Sequence, residues 1–277
     1  MSARAQLETD GFVVLPGVIP AVAIERLDRA TAPWIEQMPR ATATLLRYQG
    51  SDIPVHAMPD RDRVFAELWC DGVVDREFAS LGFAPPRLLS AYVVSKPARS
   101  PALFWHQDWP FWDSPYSAST TPAMVGVMIY LADTHRTNGC LRVLPGSHRR
   151  RLRLHANLPT PHSMDAYRQP EGGPAFAAQP TEVDVAVRAG DAVLVDARLL
   201  HASWPNASLL RRTCITLWCL PGFDALPEPL QAAFNNLEAD ARFRSDDAEL
   251  GHRVPAYRGS ARPAAFERTP GEYLRDA

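Results

Sequence analysis

The longest continuous apolar run in the chain is Met124-Val125-Gly126-Val127-Met128-Ile129-Tyr130-Leu131. Its eight residues suit a strand that is buried on both faces. Shorter β-branched or alternating segments lie on both sides of it, and turns rich in Gly or Pro separate them. Repeated short strands of this kind predict a sandwich, a jelly roll or a barrel. The other predicted core strands are 88–94, 104–108, 141–144, 181–187, 192–196 and 212–218.

We expect a single domain over residues 1–277, because all-β folds of this size often form one unit. Residues 1–86 have mostly helical apolar spacing and predict an N-terminal flank, with one short strand near Gly11–Leu15. The core is predicted at 87–222. The C-terminal part, 223–277, is polar and contains one plausible helix near Leu230–Phe243. A lid and a partly disordered tail are both open for it. Residues 40–60 lack a clear period and predict a loop.

Composition excludes several classes of protein. A net charge of −2 and a pI near 6.4 give no general attraction to nucleic acid or to an anionic membrane. No apolar stretch approaches the roughly 20 residues that cross a bilayer, and the polar N-terminus lacks a signal core. The four sparse cysteines contain no Cys-x-x-Cys pair and predict reduced thiols. We therefore expect a cytoplasmic protein with a small-molecule partner, and the oligomeric state stays open.

A candidate metal site begins at His106-Gln107-Asp108. In a strand, residues two apart leave the same face, so the imidazole of His106 and the carboxylate of Asp108 could share one ion. A second histidine would complete the 2-His-1-carboxylate triad that is typical of Fe(II) sites with open positions. His201 is the best candidate because it follows a predicted strand and lies in an apolar segment. The alternative is that His201 is a core histidine bonded to backbone.

An organic acid that chelates such an iron has a second, distal carboxylate. The protein needs a cation to bind that carboxylate. A guanidinium binds a carboxylate in a bidentate manner. Arg212 begins the strand after His201 and would be within reach if the two strands pair. Ser203 could add a hydroxyl donor. The alternative is that Arg211 and Arg212 are simply an exposed pair at a strand end.

These residues together resemble the phytanoyl-CoA dioxygenase family of Fe(II)/2-oxoglutarate oxygenases. The similarity covers roughly residues 88–221. It rests on Trp105–Asp108, on Asn138-Gly139-Cys140-Leu141-Arg142-Val143-Leu144-Pro145-Gly146-Ser147-His148, on Gly190-Asp191 and on His201 to Arg212. The resemblance implies a mainly β fold, a double-stranded β-helix or jelly-roll core with flanking helices.

The resemblance also implies roles for individual residues. His106, Asp108 and His201 would be the catalytic metal ligands for Fe(II), and Arg212 and Ser203 would bind the 2-oxoglutarate C5 carboxylate. O₂ would be the further co-substrate. Trp112 falls where members of the family often place an aromatic beside the co-substrate. The turns at 138–139 and 145–148 would be architectural.

The expected reaction is hydroxylation of an unactivated C–H bond of a small molecule, natural-product-like or amino-acid-like, with release of succinate and CO₂. Desaturation or cyclisation by an oxygenase remains open. So do a non-catalytic jelly-roll protein that binds a metal or ligand and, less compatible with Arg212, a zinc hydrolase. Asp108 disfavours halogenation, because related halogenases have a small residue at that position.

Two further segments allow a functional or a structural interpretation. Trp109, Phe111 and Trp112 directly follow the ligand strand and either line a substrate pocket or pack within a loop. The basic run Arg149–Arg153 either receives an acidic substrate group or forms a solvated loop.

Overall fold

The computed structural model describes residues 1–37, 51–55, 63–70, 72–161, 163–170, 172–237, 250, 253–270 and 274–276. Twelve strands and six helices are assigned within these ranges. The helices are α1 Ala3–Asp10, α2 Ala21–Glu36, α3 Arg63–Cys70, α4 Val73–Ser80, α5 Met164–Tyr167 and α6 Glu228–Asn235. The strands are β1 Phe12–Leu15, β2 Ser51–Pro54, β3 Arg87–Lys96, β4 Leu103–His106, β5 Val125–Tyr130, β6 Leu141–Val143, β7 Arg150–Arg151, β8 Val183–Val185, β9 Ala192–Asp196, β10 His201–Ser203, β11 Arg212–Leu220 and β12 Arg275–Asp276.

Two antiparallel sheets form the jelly-roll core, as the resemblance implies. The larger sheet has the order β1-β9-β5-β11-β3-β2, and the smaller has the order β4-β10-β6-β8. A separate parallel pair joins β7 to β12. The predicted mainly β fold class is confirmed.

The apolar run that contains β5 is buried at every position of the strand. Val125, Val127 and Ile129 belong to a cluster shared with the N-terminal helices, whereas Met128 and Tyr130 belong to a cluster shared with the smaller sheet. Because both faces are covered, alternation with polar residues would bury unpaired polar groups. This explains why the run is continuously apolar.

The N-terminal flank is mainly helical, but it also contributes strands to the larger sheet. β1 pairs with β9, and β2 pairs with β3. The helices α2, α3 and α4 add large side chains to the outer face of that sheet, among them Leu27, Trp69 and Phe78. Of the loop predicted at 40–60, residues 51–54 form a strand instead, and most of the remainder lies outside the described residues.

The C-terminal segment packs beside the aromatic residues that follow β4. Phe234 of α6 contacts Trp109 and Phe111, with ring centroids 6.0 and 5.1 Å apart. The helix predicted near Leu230–Phe243 ends at Asn235, and 238–249 lie outside the described residues. No helix among those described has both the length and the apolarity of a membrane span.

Candidate metal centre and active site

The two predicted histidine ligands face each other across a pair of strands. β4 and β10 are antiparallel neighbours, and His106 and His201 are direct register partners. Their ring centroids are 4.1 Å apart. Asp108 lies just beyond β4, and its Oδ2 is 3.2 Å from His201 Nε2. One potential ligand atom from each of the three residues lies within 4.8 Å of the others.

Backbone hydrogen bonds orient both imidazoles. Nδ1 of His106 is 2.9 Å from the carbonyl oxygen of Phe104, and Nδ1 of His201 is 3.0 Å from that of Leu199. A carbonyl oxygen can only accept, so each Nδ1 must carry the proton and donate it. Nε2 is thereby left with a lone pair for a metal, an arrangement typical of metal-binding histidines.

The charges at this cluster suit a divalent cation. Burial by itself would lower the pKa of His201, but the adjacent Asp108 carboxylate outweighs burial and raises it. A bound cation would take the place of that proton, because imidazole ligates in its neutral form. Two imidazoles and one carboxylate are a donor set that fits Fe(II). The structure brings the three predicted residues together, and their role as ligands stays a prediction.

A turn at Asp196–Leu199 positions the segment that carries Asp108. The backbone N–H groups of Asp108 and Trp109 both donate to the carbonyl oxygen of Ala197, at 2.8 and 2.9 Å. The side-chain amide of Gln107 donates to the carbonyl oxygen of Arg198. The same turn leads directly into His201, so one short segment supports both parts of the site.

A buried ion pair stabilises this turn. Arg198 makes two side-chain hydrogen bonds to Asp196, at 2.9 and 2.6 Å, and donates to the carbonyl oxygens of Ser117 and Ser119. Burial tends to raise the pKa of Asp196, but the Arg198 guanidinium outweighs burial and holds it below its ordinary value. The carboxylate is therefore ionised and fully engaged at neutral pH.

The turn Pro145-Gly146-Ser147-His148 supports the same region from the other side. The N–H of Leu200 donates to Ser147 Oγ at 2.9 Å, and the N–H of Leu144 donates to the carbonyl oxygen of Leu200 at 3.0 Å. Both bonds hold the residue immediately before His201. This geometry agrees with an architectural role for the turn.

Arg212 occupies the same cavity from the opposite sheet. The strand pairing that would bring Arg212 within reach of His201 does not occur, because β10 is in the smaller sheet and β11 is in the larger. The two residues approach because the sheets face each other. Arg212 is buried, so the alternative of an exposed pair at the strand end fails for this residue.

The guanidinium of Arg212 is held in place but retains a donor. One terminal nitrogen donates to the carbonyl oxygen of Gly139 at 3.0 Å, and the other contacts Cys214 Sγ at 3.4 Å. Its Nε has no hydrogen-bond partner among the described residues. A buried guanidinium that is not fully bonded is suited to an anionic ligand.

The backbone conformation of Gly139 explains why the Asn138-Gly139 motif has a glycine at its second position. Its φ is +88°, and a Cβ there would lie 2.8 Å from Cδ of Lys96. Only glycine offers its carbonyl oxygen to Arg212 from this position without strain. Lys96 is also buried, and desolvation and then the charge of Arg212 hold its pKa well below the ordinary value. Arg212, rather than Lys96, is therefore the group that is positively charged at neutral pH at this end of the cavity.

A cavity of about 270 Å³ joins these groups. His106, Asp108, His201, Ser203 and Arg212 all line it, so the structure brings five of the six predicted site residues to one space. Tyr130, whose ring centroid is 5.6 Å from the Arg212 guanidinium carbon, lines it too. Burial raises the pKa of the Tyr130 phenol, which is therefore a hydrogen-bond donor at neutral pH.

Trp112 is not among the described lining residues of this cavity. It is fully buried in a cluster with Trp109, Phe111 and Phe234. For this aromatic group the structure favours packing, the alternative left open above. Of the segment 109–112, only Pro110 lines the cavity.

The basic run Arg149–Arg153 also lies away from the cavity lining. Arg150 and Arg151 form the exposed strand β7, and Arg151 donates to the carbonyl oxygen of Pro270 at 3.2 Å. These positions give no support to a role in binding an acidic substrate group.

Several lining residues were missed by the sequence analysis. In β11 the lining residues are Arg212, Cys214, Thr216 and Trp218, which are alternate positions of one strand. Period-two spacing extended from Arg212 would have found the last three. Phe266 and Arg268, by contrast, come from a polar, Pro-rich segment without a periodic signal.

Comparison with known proteins gives a consistent result. The model of the family described as Phytanoyl-CoA dioxygenase (PhyH) matches residues 7–214. Phytanoyl-CoA dioxygenase 1 of Oryza sativa subsp. japonica is 28% identical over 168 residues, which are 58% of this chain and 54% of that protein. Ectoine dioxygenase of Nocardia farcinica is 30% identical over 146 residues, which are 48% of this chain and 47% of that protein. The match thus spans about half the length of these relatives.

Among solved structures, HygX from Streptomyces hygroscopicus, with nickel and 2-oxoglutarate bound, superposes with a TM-score of 0.58. The alignment covers 80% of this chain and 88% of HygX, at 22% identity. At this level of identity the superposition shows a shared fold.

Proposed function

Because the chain belongs to the phytanoyl-CoA dioxygenase family, we propose that it is an Fe(II)- and 2-oxoglutarate-dependent oxygenase that hydroxylates a small molecule. The observation that carries this proposal is a single cavity that contains both a His-Asp-His cluster and a buried arginine. A metal-binding protein without catalysis would need the cluster but not the arginine.

Each part of the site has a defined task in this proposal. His106, Asp108 and His201 would hold Fe(II). Arg212 and Ser203, which line the cavity from opposite sheets, bind the C5 carboxylate of 2-oxoglutarate. Tyr130, beside Arg212, is positioned to donate a further hydrogen bond. Bound iron and 2-oxoglutarate supply the oxidation of a C–H bond by O₂, with succinate and CO₂ as co-products.

Apolar side chains make up much of the cavity lining. Leu103, Met128 and Leu141 line it together with the metal ligands. In the proposed reaction this apolar surface would displace water from the reacting atoms, which limits side reactions of an oxidant and strengthens the charge interactions at Asp108 and Arg212. The phytanoyl-CoA dioxygenase and ectoine dioxygenase relatives support an oxygenase. Experiment decides whether C–H oxidation gives hydroxylation, desaturation or cyclisation.

An anaerobic titration tests the proposal. Fe(II) added with 2-oxoglutarate should produce a weak visible metal-to-ligand charge-transfer band, whereas Fe(II) with succinate should not. Absence of the band at saturating 2-oxoglutarate would favour a zinc hydrolase or a binding module. A succinate-release screen with amino acids, aminoglycosides, polyketides, phosphonates and acyl thioesters then identifies the substrate. Product mass distinguishes gain of one oxygen atom from loss of two hydrogens or from ring closure.

A further inference from the structure

A second guanidinium lines the cavity, and the proposed chemistry does not use it. Among the described lining residues, the charged side chains apart from the metal cluster are Arg212 and Arg268. Arg212 is assigned to the co-substrate. Arg268 belongs to the C-terminal segment and is half-buried.

The two arginines lie at different ends of the cavity. Arg212 and Trp218 both line it from β11, and six residues of strand separate their Cα atoms by about 20 Å. Trp218 packs against the cluster that contains Phe111. The ring of Phe266 meets that of Phe111 edge to face, with centroids 6.3 Å apart, and Arg268 lies 5.0 Å from the Phe266 ring. Arg268 is therefore at the Trp218 end, beyond the reach of a 2-oxoglutarate bound by Arg212.

Backbone hydrogen bonds hold Arg268 beside the metal-ligand segment. The N–H of Glu267 donates to the carbonyl oxygen of Pro110 at 2.8 Å, and the N–H of Trp112 donates to that of Glu267 at 3.0 Å. The N–H and the carbonyl oxygen of Glu267 are thus both bonded to the loop that follows Asp108. The adjacent guanidinium is presented to the cavity by an ordered backbone.

The walls between the metal and Arg268 are mostly apolar. Leu89, Met124, Trp218 and Phe266 contribute carbon surface, and Phe266 remains 58% exposed. Ser90 adds a small polar group at the same end. An exposed aromatic ring beside a cation at the end of an apolar cavity suits a ligand with a carbon skeleton and one charged end.

We propose, on the basis of the proposed oxygenase function, that Arg268 binds an oxyanion of the prime substrate. The substrate is then a compact molecule with a carboxylate or phosphate at one end and an apolar body that lies along Trp218 and Met124. Binding of the oxyanion at Arg268 directs the apolar body toward the metal, which selects the carbon that is oxidised.

Matched pairs of small molecules test this proposal. Hexanoate and hexanamide, cinnamate and cinnamamide, and hexyl phosphate and hexanol differ within each pair in charge at one end. Binding is measured by calorimetry on the protein loaded with Ni(II) and saturating 2-oxoglutarate, so that turnover is absent and Arg212 is already occupied. In the wild type, at least one acid should bind roughly tenfold more tightly than its neutral partner, as expected for a charged hydrogen bond.

Variants at Arg268 and at Arg262, in the same segment, then show whether Arg268 causes the preference for the acid over its neutral partner. R268Q should bring the acid-to-neutral ratio close to one, and R268K, which keeps the charge without the planar fork, should give an intermediate ratio. R262Q removes the same charge from an exposed position of the segment and should keep the wild-type ratio. If R268Q does not fold, R268K decides: a reduced ratio supports the proposal and a wild-type ratio overturns it.

The failures of the two proposals are distinguishable. A wild-type protein that gives the charge-transfer band but no acid preference, or whose preference survives in R268Q, overturns the role of Arg268 alone. A wild-type protein that gives no band overturns the oxygenase function, and with it the inference that depends on it. A preference for hexyl phosphate over both carboxylates would identify the oxyanion as phosphate, and the reverse order would identify it as carboxylate.

Discussion

The two sheets contribute to one cavity but position their side chains in different ways. In the larger sheet, β11 has nine residues and pairs along them with both β3 and β5. In the smaller sheet, β10 has three residues and β4 has four. The larger sheet supplies Arg212, Tyr130 and Trp218, whereas the smaller supplies both histidines of the metal cluster.

A short strand offers few ladder hydrogen bonds, so other groups must fix its side chains. On the smaller sheet, the Asp196–Arg198 ion pair and the Ser147 hydroxyl hold the turn before His201. On the larger sheet, the ladder places Arg212 and needs only the carbonyl of Gly139 to orient the guanidinium. Loops and turns thus position the His106, Asp108 and His201 cluster, whereas the ladder of a long strand positions Arg212.

The largest effect is expected from removal of a metal ligand. Asp108→Ala should abolish the charge-transfer band and weaken Fe(II) binding by more than the roughly 10- to 100-fold that is typical when a group hydrogen-bonded to a metal ligand is lost. Asp113→Ala, an exposed change in the same loop, is the control and should keep the band. Retention of tight Fe(II) binding by Asp108→Ala would show that Asp108 is not a metal ligand.

Loss of the buried ion pair tests whether loops support the cluster. Arg198→Met leaves the Asp196 carboxylate buried without its partner, which should lower the free energy of unfolding by about 3–5 kcal/mol. Urea unfolding measures it, and Arg188→Met at an exposed position is the control. An unchanged urea midpoint would mean that the ion pair does not stabilise the turn beside the short strands.

The same variant has a defined pH dependence. In the wild type the pKa of Asp196 is held low, so its contribution to stability is present above the unfolded pKa near 3.9 and is lost only as the pH falls through the folded value. Without Arg198, burial raises that pKa, and protonation relieves the buried charge. The stability deficit of the variant should therefore be smaller at about pH 5 than at about pH 8.

Arg212→Ala tests the larger sheet. It should weaken 2-oxoglutarate by roughly 10- to 100-fold, the value of one or two charged hydrogen bonds, and leave Fe(II) affinity nearly unchanged. Arg211→Ala removes the neighbouring charge just before β11, at a residue that does not line the cavity, and should do neither. Equal loss of metal and co-substrate would show that Arg212 is structural and that the two sheets are not independent.

A more gradual effect, spread over several pH units, concerns His155, which lines a small cavity with Gln107. Burial lowers its pKa to about 4, and its Nδ1 accepts a hydrogen bond from the N–H of Leu152. Because the unfolded chain binds the proton more tightly, stability should fall by roughly 1 kcal/mol per unit as the pH drops from about 6.5 to about 4.

His155→Gln should flatten that slope, and His135→Gln, at an exposed position, should not. Thermal unfolding at a series of pH values measures both. A slope that persists in His155→Gln would place the acid sensitivity elsewhere.

Much of the core was predictable because local spacing encodes strands and the faces of their side chains. The continuous run at β5 indicated burial on both faces. His106-x-Asp108 predicted two ligands on one face of a strand, but β4 ends at His106, and Asp108 lies in the loop beyond it, where its N–H is bonded to Ala197. The helical period of the N-terminal flank did not reveal that β1 and β2 join the larger sheet. Hydrogen-bond partners of an edge strand come from distant segments, so the spacing within 12–15 or 51–54 could not identify them.

The aromatic residues after β4 show the same limit. The sequence left open whether Trp109, Phe111 and Trp112 line a substrate pocket or pack within a loop, and α6 and Phe266 cover them from the far end of the chain. An aromatic side chain packs wherever the most apolar surface is available, and that surface is created by folding.

The sequence by itself determined the class of fold, the candidate ligand set His106, Asp108 and His201, and the candidate arginine at 212. Residue type and spacing are enough for these, because ligand chemistry and strand periodicity are local properties. Only the tertiary structure decided that Arg212 faces the cluster from the opposite sheet and that Arg268 reaches the other end of the cavity. Such placements depend on which surfaces meet when the chain folds, and residues far apart in sequence carry no local signal of that meeting.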